Sequence, residues 1–299
     1  MEPTLRTVII PAAGKGTRLL PATRVTAKEL QPVYDHVVID FAMAEAVEAG
    51  AERIIVVISE SKTAIRDYLR GDPTFCVDNG QRPAKVGASD MRLGKTRVEF
   101  VFQDQPRGLG DAILCCAGRT LPGPFGVILP DDVIFGTGCL AEMAAHHFDG
   151  QMVAAMAVSP DATSQYGIFR VKSLPTGKCV PVAGMVEKPA QGTAPSSLAA
   201  VGRYILEPSI FEILKHTPTG AGGELQLTDA RAIATNAHPL TAFRFSGDRY
   251  DCGNHDGLLA ASVARQTIVA LQRAASRRET MQLIDVRGAN RVMSGVLTG

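Results

Sequence analysis

The chain has 299 residues, and its 31 Lys and Arg against 30 Asp and Glu leave a formal charge of only +1, so no bulk field draws it to nucleic acid or acidic lipid. Trp is absent and aromatics make up 5% of the residues, which removes the stacking platforms that single-stranded nucleic acid needs. No apolar run approaches membrane-spanning length, and the six cysteines show neither a Cys-x-x-Cys pair nor zinc-type spacing with histidine, so a soluble cytoplasmic protein is expected.

The N-terminus, Met1-Glu2-Pro3-Thr4, lacks the basic and apolar regions of a signal peptide. Thr7–Ile10 predicts the first strand, and it runs into Ala12-Ala13-Gly14-Lys15-Gly16-Thr17-Arg18-Leu19-Leu20-Pro21. Small residues at 12–14 and glycine at 16 let backbone N–H groups converge on one point, as a polyanion at a strand end requires, and Arg18 adds a fixed charge. A turn that uses glycine only for its backbone freedom remains open. The Rossmann fingerprint fails at Leu19, and the P-loop fails at Ile9, where that motif needs glycine.

Further strands are predicted at Ile54–Ile58, Val98–Phe102 and Val127–Leu129, with helices near 37–49, 61–70, 109–119 and 138–148. This alternation predicts an α/β fold with a Rossmann-like, doubly wound, mainly parallel sheet whose ligands gather beyond the carboxyl ends of its strands. Residues 71–95 mix glycine, proline and charge without apolar period and predict an exposed insertion. From 151 onward, runs at Met152–Val158, Gly167–Val171, Val180–Val186 and Ala199–Leu206 predict a smaller, largely antiparallel β-rich lobe. Helical spacing returns at 207–216 and 224–236, a strand is expected at 239–245, and a long helix at 256–276. Residues 276–299 read as a frayed tail or an arm against a second subunit. The chain thus divides at 1–150, 151–255 and 256–299, the middle part completing the domain begun by the first.

Candidate chemistry falls at the strand ends. In Leu129-Pro130-Asp131-Asp132 a carboxylate could share a divalent ion with phosphate oxygens, or simply form the turn. Lys28-Glu29 and Glu187-Lys188-Pro189 each set an ammonium beside a carboxylate, a pairing suited to a phosphorylated sugar and equally common on a solvated surface. Asp251 suits a second metal ligand or a helix cap, and Gln103, before Gly108-Leu109-Gly110, suits the edge of a base or plain exposure. The histidines show no His-x-x-x-His spacing, and no Gly-x-Ser-x-Gly elbow occurs.

Taken in order, these stretches resemble the sugar-nucleotide pyrophosphorylases, most closely the bacterial UTP–glucose-1-phosphate uridylyltransferases. Further matching landmarks are Tyr166-Gly167, Val201-Gly202-Arg203-Tyr204, Gln226-Leu227-Thr228-Asp229 and Asp251-Cys252-Gly253, so the likeness spans nearly the whole chain. The resemblance implies that Ala12, Ala13, Gly14, Gly16 and Thr17 bind the nucleotide, with Gln103 and Gly108 at the uracil. It implies catalytic roles for Arg18, Lys28 and Lys188, Mg²⁺ on Asp131 with Asp251 as a second ligand, and sugar contacts from Gly167, Glu187 and Lys188. UTP and a sugar 1-phosphate are the implied partners, in a homo-oligomer, dimer or tetramer.

The chain departs from that pattern in three places. Ala27 stands where the family usually has proline before Lys-Glu, His36-Val37 replaces Lys-Pro, and Gly223 replaces a carboxylate. Two alternatives follow: the same chemistry with dTTP or another hexose 1-phosphate, or a catalytically weak paralogue that binds UDP-glucose.

Overall fold

The computed structural model describes residues 5–71, 96–172, 177–220, 223–235 and 238–296, with side chains to 276. The expected insertion at 71–95 lies almost wholly outside the described residues. In chain order the first part contains β1 (Thr7–Pro11), β2 (Pro32–Val33), β3 (His36–Val37), α1 (Val38–Glu48), β4 (Arg53–Ile58) and α2 (Thr63–Arg70). It continues with β5 (Arg97–Phe102), α3 (Leu109–Leu114), β6 (Phe125–Ile128), β7 (Asp132–Phe135) and α4 (Cys139–His146). The second part adds β8 (Gln151–Ala157), β9 (Gly167–Val171), β10 (Cys179–Glu187), β11 (Leu198–Leu206), α5 (Ile210–His216) and α6 (Leu227–Ala234). It ends with β12 (Leu240–Arg244), β13 (Asp248–Asp251) and α7 (His255–Val296).

Ile54 to Ile58 are all fully buried, as are Val8, Ile9 and Ile10, because helices cover both faces of the sheet. Alternation along β1 sends Val8 and Ile10 toward α1, α2 and α4, where Met43, Ile65 and Met143 lie, and Ile9 toward α3, α5 and α6 with Ile113, Phe211 and Leu227. β5, β4, β1 and β6 pair in parallel, so their carboxyl ends share one rim.

The second-half strands do not form a separate sheet. One nine-stranded sheet runs β5-β4-β1-β6-β11-β8-β12-β10-β9, with β11 antiparallel to both β6 and β8. The sheet as a whole is therefore mixed rather than mainly parallel. β11, expected within the second lobe, sits between β6 and β8 at the centre of the sheet, which explains why most of its residues are buried. β9 also pairs with β11, so β11, β8, β12, β10 and β9 close into a ring of their own.

Two further corrections concern helices. α3 stops at Leu114, short of 119, and α7 runs unbroken for 42 residues to Val296 rather than stopping at 276, so the last stretch continues the helix. Two short pairings that the sequence reading missed, β2 with β3 and β7 with β13, flank the rim, and the second sets Asp132 opposite Asp251. Ala261 of α7 packs with Val33, Val133 and Cys252, which seats the helix behind those strands. Among the described residues no helix is long and apolar enough to cross a membrane.

Candidate active site

β1 delivers Ala12 as an anchor rather than a wall. Its backbone N–H donates to Val57 O at 2.7 Å, and its carbonyl accepts from Lys62 Nζ at 3.0 Å. Beyond it, Ala13, Gly14, Gly16 and Thr17 line a cleft of about 460 Å³, faced by Lys28, Gln103, Gly108 and Asp131. A larger cleft of about 690 Å³ opens on the other side of Lys15 and Gln103, between Arg24 and Lys62.

Gln103 is only 4% exposed, and its Nε2 donates to Asp111 Oδ2 at 2.7 Å and Gly108 O at 3.2 Å. Its amide oxygen is thus the group left for a ligand donor. Gly108 has φ +94°, and a Cβ there would stand 3.0 Å from Leu225 O, so the turn after β5 packs directly under residues 224–225.

The charged centre lies where β6 ends. Lys28 Nζ is 2.6 Å from Asp131 Oδ2, Arg18 Nη2 is 3.7 Å from the same oxygen, and Arg18 Nη1 is 3.3 Å from Asp251 Oδ2. Burial pushes the Asp131 carboxyl up, but the Lys28 ammonium outweighs it and holds the group below the usual carboxylate range. Lys28 is pulled down by the same burial and held above its ordinary value by Asp131 and Glu29. A Cβ on Gly253 would stand 2.9 Å from both Asp131 Oδ2 and Asp251 Oδ1. The two carboxylates therefore converge on a point that the Arg18 guanidinium also reaches, and only a residue without a side chain fits there. Such a pair suits a hard divalent ion that completes its shell with phosphate oxygens and water. No third His, Cys, Asp or Glu joins them among the described residues.

Three supports were not read from the sequence. Lys62 Nζ is 2.7 Å from Glu29 Oε2, in a site where burial pushes the Glu29 carboxyl up and pulls the Lys62 ammonium down. Arg203, 1% exposed, makes two 2.8 Å bonds to Glu45 and donates to Leu129 O and Asp132 O, bracing the turn that presents Asp131. Arg249 donates to Asp132 Oδ1 from Nε at 2.6 Å and again from Nη2, and its Nη1 meets the Tyr166 hydroxyl at 3.2 Å. One sequence signal pointed to Arg249: it lies two positions before Asp251 and so shares its side of a strand. Lys62 gave none.

Tyr166 continues the connection, since its carbonyl accepts from Lys188 N at 3.1 Å. Gly167 pairs with Glu187 across β9 and β10, and a Cβ on it would stand 3.0 Å from Glu187 Oε2. Lys188 adopts φ +42°, unusual for a residue with a side chain, at the exposed end of β10. Gly167, Glu187 and Lys188 do not line the 460 Å³ cleft. The expected residues thus gather in two groups, joined through Tyr166 and Arg249.

Residues 7–267 match the nucleotidyl transferase family. The chain is 37% identical to a Pseudomonas aeruginosa UTP–glucose-1-phosphate uridylyltransferase over 270 residues, covering 86% of this chain and 95% of that protein. A Bacillus subtilis protein of the same name, YngB, is 32% identical over 297 residues, covering 95% and 100%. A solved UDP-glucose pyrophosphorylase complexed with UDP-glucose superposes with a TM-score of 0.78 at 36% identity, over 88% of this chain and 99% of that one. A UTP-bound relative from Acinetobacter baumannii gives 0.75 at 33% identity, over 88% and 93%. The chain belongs to the nucleotidyl transferase family, in the company of its bacterial UTP–glucose-1-phosphate uridylyltransferases.

Proposed function

We propose that the chain transfers a uridylyl group from UTP to glucose 1-phosphate, forming UDP-glucose and pyrophosphate. The observation that carries this reading is the meeting of Arg18 and Lys28 with Asp131 and Asp251 at the mouth of a glycine-lined cleft. The names of its relatives and the UDP-glucose complex of a structural neighbour support it.

A phosphate oxygen of the sugar attacks the α-phosphorus of UTP in line, and the bond to pyrophosphate breaks as the new one forms. That oxygen is already ionised at neutral pH, so no strong base is needed. The barrier to offset is the repulsion of two polyanions. Ala13, Gly14, Gly16 and Thr17 direct backbone N–H groups at the triphosphate, Arg18 and Lys28 neutralise it, and the Gln103 amide oxygen accepts from the uracil N–H. Lys188 holds the sugar phosphate, while Glu187 and the Gly167 backbone take sugar hydroxyls. Asp131 and Asp251 would hold Mg²⁺, which when bound supplies positive charge to the phosphate oxygens.

We also infer a homo-oligomer. Leu259, Val263 and Leu271 leave an exposed apolar stripe along α7. Pyrophosphate release with Mg²⁺, over a panel of nucleoside triphosphates and sugar phosphates, tests the reaction. Highest kcat/KM with UTP and glucose 1-phosphate is expected, and no release with that pair would refute it.

A further inference from the structure

Arg231 on α6 is the least satisfied charge in the described structure. It is 2% exposed, its Nε and Nη2 have no hydrogen-bond partner, and its guanidinium lies 5.4 Å over the Tyr204 ring. Burial pulls it down to about 10 against the opposing pull of Tyr204, whose hydroxyl is neutral, and of Glu187, and neither hydrogen-bonds to it. An uncompensated interior cation is strongly unfavourable, so such a group is expected to have an anionic partner.

Its place in the fold says where that partner comes from. Tyr204 and Met185 pack with Val153, Phe169 and Val182 inside the ring closed by β9 and β11. Glu187 lies two positions beyond Met185 on the same side of β10, and a Cβ on Gly167 would touch both. α6 packs on β10 and brings Arg231 to that face. Gln151, 1% exposed beneath the same helix, also leaves its Oε1 without a partner. The two free nitrogens of Arg231 form one edge of the guanidinium, the edge that matches both oxygens of a carboxylate.

We propose that Arg231 recognises a carboxylate on the sugar, so that this chain accepts a hexuronic acid 1-phosphate as well as glucose 1-phosphate. The inference rests on reading the Gly167–Glu187 strands as the sugar half of the site. The reaction is unchanged: the 1-phosphate oxygen attacks the α-phosphorus of UTP and pyrophosphate leaves, the carboxylate taking no part in the chemistry.

The test is pyrophosphate release by the full chain with UTP and Mg²⁺, using glucuronic acid 1-phosphate and glucose 1-phosphate side by side. Wild type should turn over both, and R231M should lower the ratio of their kcat/KM values by roughly tenfold or more. Since methionine removes an unpaired charge, R231M should melt no lower than wild type, which guards against a folding artefact. An unchanged ratio, as expected if Glu187 or a buried water occupies that edge, overturns the proposal. So does wild-type turnover of glucose 1-phosphate alone. If neither sugar is turned over, the proposed function falls, and calorimetry decides the inference: glucuronic acid 1-phosphate must bind wild type more tightly than R231M, and equal binding sinks it.

Discussion

Where β1 and β6 end, Lys28 lies 2.6 Å from Asp131 and Lys62 2.7 Å from Glu29. Where β9 and β10 meet, Glu187, Lys188 and Arg231 make no ion pair among the described residues. The first region is organised before any ligand arrives, at a desolvation cost met by pairing charges within the protein. The second holds two exposed charges, Glu187 and Lys188, that water solvates, and one buried cation, Arg231, without an ion pair among the described residues. Changes in the first region should therefore appear in turnover and stability, and changes in the second in the KM for the sugar phosphate.

The largest effect is expected for Asp131→Asn, which takes the anchor from Lys28 and Arg18 and one of two carboxylates from the centre. A fall of roughly 10³ in kcat with unchanged circular dichroism is expected. A loss under tenfold would break the comparison.

Lys62→Met should act on stability, because it strands the fully buried Glu29. A loss of about 3 kcal/mol in urea melts is expected near neutral pH. Burial already raises the Glu29 carboxyl, and losing Lys62 raises it further, so the folded state binds its proton more readily than the unfolded chain. The deficit should therefore shrink as pH falls from 8 toward 5. A deficit that grows in acid would contradict this account.

Lys188→Met sharpens the other half of the comparison. The KM for glucose 1-phosphate should rise by about 10- to 100-fold, with kcat and the KM for UTP moving far less. A matching rise for UTP would mean that the two regions do not divide the substrates.

The smallest effect is expected away from both, at Asp35, whose carboxylate takes two bonds from Arg265 of α7 at 2.7 and 3.0 Å. Hydrogen bonds from Arg265 hold this partly exposed acid down at about 2. Asp35→Asn should cost about 0.5–1 kcal/mol. A lowered folded pKa stabilises above the usual carboxylate value and is lost as pH falls through the folded one. Melts of the two proteins should thus differ evenly from pH 8 to 5 and converge near pH 2.

Much of the cleft was legible because its residues are contiguous and chemically distinctive. Ala13 to Thr17 follow one strand, and Asp131 follows another. The supports were not legible, because each joins positions far apart in the chain: Lys62 to Glu29, Arg203 to Glu45, and Arg249 to Asp132. The place of β11 was hidden for a related reason. Its apolar run marks it as buried, but a local pattern does not say that it lies between β6 and β8.

By itself the sequence determined which segments become strands or helices across most of the described chain, and that a glycine-rich turn with a fixed cation opens at the end of β1. These are properties of neighbouring residues, set by side-chain period and backbone freedom. Only the tertiary structure decided that Asp131 and Asp251 converge around Gly253, that the second-half strands extend the first-half sheet, and that Arg231 is buried unpaired on Tyr204. Distances and desolvation between remote groups exist only once the chain has closed on itself, and these set which charges are already satisfied.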